Sequence, residues 1–179
     1  MFLAAPSLVY AQQDKTDPQR LEREKRISQR ISRVQPNLSA EQKRSYKASC
    51  NGAQTKVSAH LENAKKFSEN HDKKFDEFIS RTNNLIEKLK TSGYDTASAQ
   101  TALDSAATAN EKTKTAYQNY ILVMSDITAV DCRLDPEGFR ASIDEAKTQF
   151  KELRKLRVEV RQAIKQDLKT ALQGTLKAN

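Results

Sequence analysis

The chain has 179 residues, of which 37% are hydrophobic and 30% charged, with 4 Gly, 4 Pro, no Trp and a net charge of +8. This length accommodates one domain, or one domain with a tail. Sandwiches, barrels and doubly wound sheets need many turn residues and β-branched runs, which this composition lacks. A membrane-spanning protein is also disfavoured, because no run approaches twenty apolar residues. The composition therefore predicts an all-α fold of long helices.

The N-terminal residues 1–11 read MFLAAPSLVYA, an uncharged apolar run ahead of a polar chain. Val9 and Ala11 fit positions −3 and −1 of a small-residue cleavage site, which leaves Gln12 as the mature start. No basic region precedes the run, so a frayed hydrophobic terminus is the alternative. We interpret residues 1–11 as a signal-peptide remnant and predict an exported protein (periplasmic, cell-surface or extracellular).

Residues 12–36 form a strongly charged segment in which a short helix is expected after Pro18. The apolar positions of this helix are Leu21, Ile27, Ile31 and Val34. They make only a thin stripe, and Pro36 ends the helix. An isolated helix of this length is marginally stable, so the pattern predicts a mobile helical arm that projects from the rest of the protein.

Three long helices are predicted over about 39–91, 96–129 and 136–173, within a bundle of residues 37–173 that is followed by a tail of 174–179. Apolar residues recur along them in steps of three and four. Ser39 and Gln42 form a potential capping box, and Gly93 suits a left-handed helix end. Asp135 and Pro136 mark the start of the third helix. The short connections predict a long antiparallel three-helix bundle, a coiled-coil-like hairpin with an N-terminal charged helical arm.

The two cysteines, Cys50 and Cys132, are expected at the same height in this bundle. Cys50 lies 43 residues before Gly93, about 65 Å along the first helix. The second helix returns about 51 Å, and three extended residues add about 10 Å. Exported thiols usually pair. A Cys50–Cys132 disulfide at the open end of the hairpin is therefore predicted, with two free thiols as the alternative.

Two motifs carry a resemblance over roughly residues 45–170. They are a Cys-x-x-Ala-Gln segment and an Asp-Cys-x-x-Asp-Pro-x-Gly-Phe segment, which flank a Gly-x-Asp-Thr turn. The matching positions are Cys50, Ala53, Gln54, Gly93, Asp95, Thr96, Asp131, Cys132, Asp135, Pro136, Gly138 and Phe139. At these positions the chain resembles uncharacterised exported helical proteins from uncultured bacteria. The resemblance implies export and a disulfide-tied hairpin, and it implies no activity.

The sequence contains no recognisable catalytic, cofactor or metal motif. It has no phosphate-binding Gly loop, no nucleophile elbow and no His-Glu-x-x-His. His60 and His71 are about 16 Å apart along one helix, too far for a shared metal, and His71 is expected at the edge of the core. We therefore predict a non-enzyme that uses no cofactor and no metal.

A stripe of basic residues follows steps of three, four and seven along the third helix. Its members are Lys147, Lys151, Arg154, Arg161, Lys165 and Lys169. Such a stripe is able to bind a polyanion such as a cell-wall polymer or anionic lipid heads, or it is simply a solvated helix face. Few aromatic residues interleave it, so specific binding of nucleic acid is not expected.

These observations predict a non-catalytic structural or protein-interaction protein of the cell envelope, with a protein or an envelope polyanion as partner. One alternative is a periplasmic holdase-type chaperone. The segment 38–42, Leu-Ser-Ala-Glu-Gln, resembles the Leu-Thr-x-x-Gln motif of small basic envelope-stress chaperones. The other alternative is a polyanion-binding module that uses the basic stripe.

Overall fold

The computed structural model describes residues 18–177, so the predicted signal remnant at 1–11 lies outside the described residues. The described chain forms α1 (Pro18–Val34), α2 (Ala40–Thr91), α3 (Ala97–Ala129), α4 (Pro136–Gln162), a π-helical turn (Ala163–Leu168) and α5 (Lys169–Lys177). No strand occurs between residues 18 and 177. The predicted all-α class is confirmed.

The helices begin where the sequence signals predicted. The Ser39 hydroxyl accepts a hydrogen bond from the Gln42 backbone N–H at 3.2 Å, and the Gln42 side chain accepts one from the Ser39 N–H at 2.9 Å. The Asp135 carboxylate accepts the Gly138 N–H at 2.7 Å, with Pro136 in the first turn. These bonds satisfy backbone donors that a helix start leaves unpaired.

The predicted tail of 174–179 is wrong for residues 174–177, because helix α5 continues through Gly174 to Lys177. Thr175 is buried, and its hydroxyl donates to the Ala171 carbonyl at 3.1 Å. Ala171 and Leu172 pack against the core cluster near the hairpin. This packing outweighs the cost of an internal glycine, which is about 1 kcal/mol.

The hairpin between α2 and α3 turns at Gly93, whose φ is +86°. Its N–H donates to the Lys90 carbonyl at 3.0 Å, and the next N–H, of Tyr94, donates to the Leu89 carbonyl at 3.1 Å. A positive φ is sterically costly for a residue with a Cβ. Gly93 therefore allows α3 to return along α2.

Replacing Gly93 with alanine is expected to lower the free energy of unfolding by about 1 kcal/mol, because the Cβ of alanine is sterically unfavourable in the left-handed conformation. Urea denaturation followed by circular dichroism measures this change. Gly52→Ala is the matched control: Gly52 lies inside α2, where an added Cβ meets nothing within 4 Å. That variant is expected to gain about 0.5–1 kcal/mol. Equal effects of the two substitutions would contradict the assigned role of Gly93.

Helix α3 lies between α2 and α4 and packs extensively against both, whereas α2 and α4 contact each other little. Three core clusters follow one another along the bundle. One surrounds Ile127 at the cysteine end, one surrounds Tyr117 and Leu153 in the middle, and one surrounds Ile86 and Leu103 near the hairpin. The long predicted hairpin is therefore present, and α2 and α4 diverge on one side of it.

The described part of the predicted arm is docked rather than projecting, so that prediction is wrong for residues 18–34. Helix α1 packs on α4, and Ile27 joins the core at the cysteine end. Arg26 donates two hydrogen bonds to the Asp126 carboxylate, at 2.7 and 3.0 Å, and Arg30 forms an ion pair with it at 2.8 Å. The hydrogen bonds to Asp126 raise the pKa of Arg26. The buried Asp126 carboxylate of α3 and the apolar contacts of the thin stripe together hold α1 against the bundle.

The predicted pairing of Cys50 with Cys132 is present in the structure. The two residues form a disulfide with their Cα atoms 5.7 Å apart, and both are buried. This separation lies within the range that a disulfide requires. The bond joins α2 to the loop between α3 and α4, at the open end of the hairpin.

Candidate functional site

The divergence of α2 and α4 leaves an open groove with a volume of about 510 Å³. This volume falls in the range of small-molecule sites, about 300–1,000 Å³. Helix α2 contributes Phe67, Asn70, His71, Lys74, Phe75 and Phe78 to the lining. Helix α4 and the π turn contribute Arg157, Val160, Arg161, Ile164 and Lys165. We call this feature the α2–α4 groove.

Aromatic rings form a ladder along the α2 side of the groove. Phe67, His71 and Phe75 recur every four residues, so they lie on neighbouring turns. The centroids of adjacent rings are 6.3 Å apart in both pairs, with interplanar angles of 24° and 13°. Tyr117 of α3 lies behind the ladder, 5.7 Å from Phe67 and 6.1 Å from His71. The ladder is therefore braced by the core while Phe67 remains 43% exposed.

Four cationic side chains surround these rings. Lys74 lies on the α2 side, and Arg157, Arg161 and Lys165 lie on the opposite side. The Arg157 guanidinium stands 4.7 Å from the centroid of the Phe67 ring, which is a cation–π distance. No Asp or Glu occurs among the described residues that line the groove. Its lining therefore combines apolar surface with four positive charges, while the Asp72 carboxylate lies beside the ladder, 3.7 Å from His71 Nδ1.

The π-helical turn at Ala163–Leu168 shapes one end of the groove. Residues four apart drift by about 40° around an α-helix of 3.6 residues per turn. A π turn holds more residues per turn, so it counteracts this drift and keeps Lys165 on the side of Arg157 and Arg161. Single π turns inside α-helices are frequent at functional sites.

Burial keeps two tyrosines of α3 neutral, and one of them, Tyr117, lies behind the ring ladder. Burial raises the pKa of Tyr117, with a further contribution from Asp72, while Arg157 acts in the opposite direction. Burial also raises the pKa of Tyr120, whose ring lies 5.6 Å from that of Phe150. Both residues therefore act as neutral packing groups at physiological pH.

The six residues of the predicted basic stripe are all exposed, but they occupy different surroundings. Arg161 and Lys165 line the α2–α4 groove. Lys147 forms an ion pair with Asp144 at 3.2 Å. The structure thus places two members of the stripe in the same groove as aromatic residues of α2, which the sequence alone did not reveal.

The motifs that carry the family resemblance build the loop beside the disulfide. The Gln54 amide donates to the Val130 carbonyl at 2.7 Å, and Arg133 donates to the Asn51 side chain at 3.0 Å. The Asp131 carboxylate accepts the Arg133 N–H at 2.9 Å. These bonds position the loop that leads to α4, so Gln54 and Asp131 of the motifs have structural roles here.

Two of the other predictions concern metals and membranes. Within residues 18–177, no group of three or more His, Cys, Asp or Glu residues is arranged to hold a metal ion. His60 is exposed, whereas His71 is half-buried in the aromatic ladder, as expected for the core edge. None of the helices in this part of the chain has the length and apolar character needed to cross a membrane.

Comparison with known proteins returns no match to this chain among family models, curated proteins or solved structures. The resemblance to exported hairpin proteins therefore stays a prediction.

Local sequence patterns do not predict the groove, because its two sides come from helices that are far apart in the chain. In the sequence, Phe67, His71 and Phe75 have the spacing of a core stripe, and Arg157 and Lys74 fall outside the predicted basic stripe. The available signal was the four-residue repeat of Arg157, Arg161 and Lys165. The register of α4 against α2 decides which rings these cations meet, and that register depends on the whole bundle.

Proposed function

We propose that the protein is an exported, non-catalytic binding protein of the cell envelope that holds an anionic partner in the α2–α4 groove. The observation that carries this proposal is the groove lining, in which four cations surround a ladder of aromatic rings. Concave apolar surfaces with a few convergent polar groups are typical of binding sites. Clustered positive charge raises the local concentration of anions and speeds their association.

The disulfide supports the exported location. Disulfides persist in oxidising compartments and are rare in the cytosol. The Cys50–Cys132 bond also fixes the loop from which α4 departs, and α4 forms one side of the groove. A rigid scaffold reduces the entropy lost when a partner is bound.

Expression of the full chain with residues 1–11 in a bacterium, followed by fractionation, tests the proposal. The mature protein is expected outside the cytoplasm without titratable thiols. It is expected to sediment with envelope material, and Arg161→Glu/Lys165→Glu is expected to reduce the bound fraction at least fivefold. Lys151→Glu/Lys155→Glu is the matched control, because it makes the same charge change on exposed residues of α4 outside the groove lining. Cytosolic, reduced protein, or equal sedimentation of both variants, would contradict the proposal.

The polyanion-binding alternative is favoured by the exposure of all six stripe residues. Binding of this kind depends on total charge and weakens with salt. It predicts salt-sensitive retention on heparin that falls equally in the two double variants. A holdase chaperone would instead suppress aggregation of an unfolded client, and it needs a large continuous apolar surface. The large exposed apolar side chains include Leu21, Leu134, Val158 and Leu176, which are spread along the described chain.

A further inference from the structure

We infer that the ligand of the α2–α4 groove is a lipid with a single acyl chain and an anionic headgroup. This inference rests on the proposed function and names the chemistry of the partner. It follows from three properties of the lining: its charge, the way its rings are covered, and its shape.

The charge of the lining selects an anion. Lys74, Arg157, Arg161 and Lys165 converge on one groove, and no Asp or Glu of the described lining compensates them. Guanidinium groups bind carboxylate and phosphate oxygens through paired hydrogen bonds. A neutral apolar ligand leaves these four cations unused, so it does not account for the lining.

The exposed aromatic surface of the groove indicates that the same ligand also has an apolar part. A polyanion that follows only the outer face of α4 does not contact Phe67, Phe75 or Phe78, which belong to α2. Phe67 is a large apolar side chain with 43% of its surface exposed. Covering such a surface stabilises a complex by about 25 cal/mol per Å². An amphiphile uses both the cations and the rings.

The covering of the rings favours an acyl chain over the stacked bases of a nucleic acid. A base stacks on an aromatic ring that offers a free face. Arg157 lies over the face of Phe67, 4.7 Å from the ring centroid, and Phe75 is buried. An alkyl chain needs only apolar contact with the exposed part of Phe67, so it suits this lining better than a base.

The shape of the groove fits an extended chain. From Phe67 to Phe78 the lining follows α2 for about 16 Å. On the other side it follows α4 into the π turn, where Ile164 is apolar and Lys165 is cationic. An acyl chain lying along the ladder brings its headgroup within reach of Arg157, Arg161 or Lys165.

Isothermal titration of the oxidised full-length mature protein with hexadecanoate, below its micellar concentration, tests this inference. We expect one hexadecanoate per chain, and at least tenfold weaker binding of neutral hexadecanol. Arg161→Glu/Lys165→Glu is expected to weaken hexadecanoate binding at least tenfold. The matched Lys151→Glu/Lys155→Glu control is expected to change it less than twofold. Phe67→Gln, with its helical spectrum unchanged, is expected to weaken binding at least fivefold.

Three results would overturn the ligand assignment. They are no hexadecanoate binding, equal weakening by the two charge-reversal variants, and displacement of hexadecanoate by an equimolar single-stranded oligothymidylate. If hexadecanoate fails to bind while envelope sedimentation still depends on Arg161 and Lys165, the ligand class is wrong and the proposed function stands. If envelope sedimentation is also independent of these residues, both fail.

Discussion

Replacing Asp126 with alanine is expected to lower the free energy of unfolding by about 3–5 kcal/mol and to release helix α1 from the bundle. The Asp126 side chain is 2% exposed and its partner Arg30 is 4% exposed. Removing the carboxylate leaves a buried guanidinium without a counter-charge, and Arg26 loses two hydrogen bonds. A buried charge without a partner carries a desolvation penalty that nothing offsets.

Urea denaturation measures the stability of this variant, and amide hydrogen exchange measures the protection of residues 18–34. Asp104→Ala is the matched control on α3, because Asp104 is exposed, and it is expected to change stability by less than 0.5 kcal/mol. The double variant Arg30→Leu/Asp126→Leu is expected to recover most of the loss, since it removes both buried charges. A loss below 1 kcal/mol in Asp126→Ala, with α1 still protected, would show that the apolar contacts of Ile27 and Ile31 suffice for docking.

Removing the disulfide through Cys50→Ser is expected to lower the free energy of unfolding by about 4 kcal/mol. The bond closes a loop with a sequence separation of 82 residues, so it restricts the unfolded chain strongly. Residues 130–143 are expected to lose protection from hydrogen exchange first, because Cys132 anchors the loop that leads into α4. Without the disulfide, this loop is held by the hydrogen bonds that it forms with Gln54 and Asn51.

Reduction of the wild-type protein with dithiothreitol is the control for this effect, and it should reproduce the stability of Cys50→Ser and Cys132→Ser. Unfolding curves of the oxidised and reduced forms give the difference directly. Identical curves would refute the stabilising role of the bond.

The elements of the hairpin were predictable because their signals are local. The Ser39–Gln42 box, Gly93 and the Asp135–Pro136 pair each mark a helix boundary within a few residues. The disulfide was predictable because the fixed rise per residue of a helix gives the positions of Cys50 and Cys132 along the bundle axis.

The docking of α1 was not predictable from its own segment, because it depends on packing against α4 and on the buried Asp126 carboxylate of α3. Asp126 stands alone in the apolar run YILVMSDITAV, and such an isolated acid was the available signal. Its three partners, Arg23, Arg26 and Arg30, lie in a strongly charged segment in which nothing local distinguishes a buried ion pair from solvated charge. The continuation of the last helix through Gly174 likewise depends on packing against another part of the chain.

The groove was not predictable for the same reason, because its two sides come from helices far apart in the chain. Tyr117 and Asp126 are nine residues apart in α3, which is two and a half helical turns. The groove and the docked α1 therefore lie on opposite faces of α3. We therefore expect a ligand in the groove to change the surroundings of the first face and not those of the second.

Nuclear magnetic resonance of the oxidised protein during a hexadecanoate titration shows directly where the ligand binds. We expect the largest chemical-shift changes at the side chains of Phe67, His71 and Phe75 and at Ile164. Leu122 and Ile27, on the side of α1, are predicted to change little. Large changes confined to α1 or to the loop at Leu134, with the ring ladder unaffected, would contradict the assignment of the α2–α4 groove as the binding site.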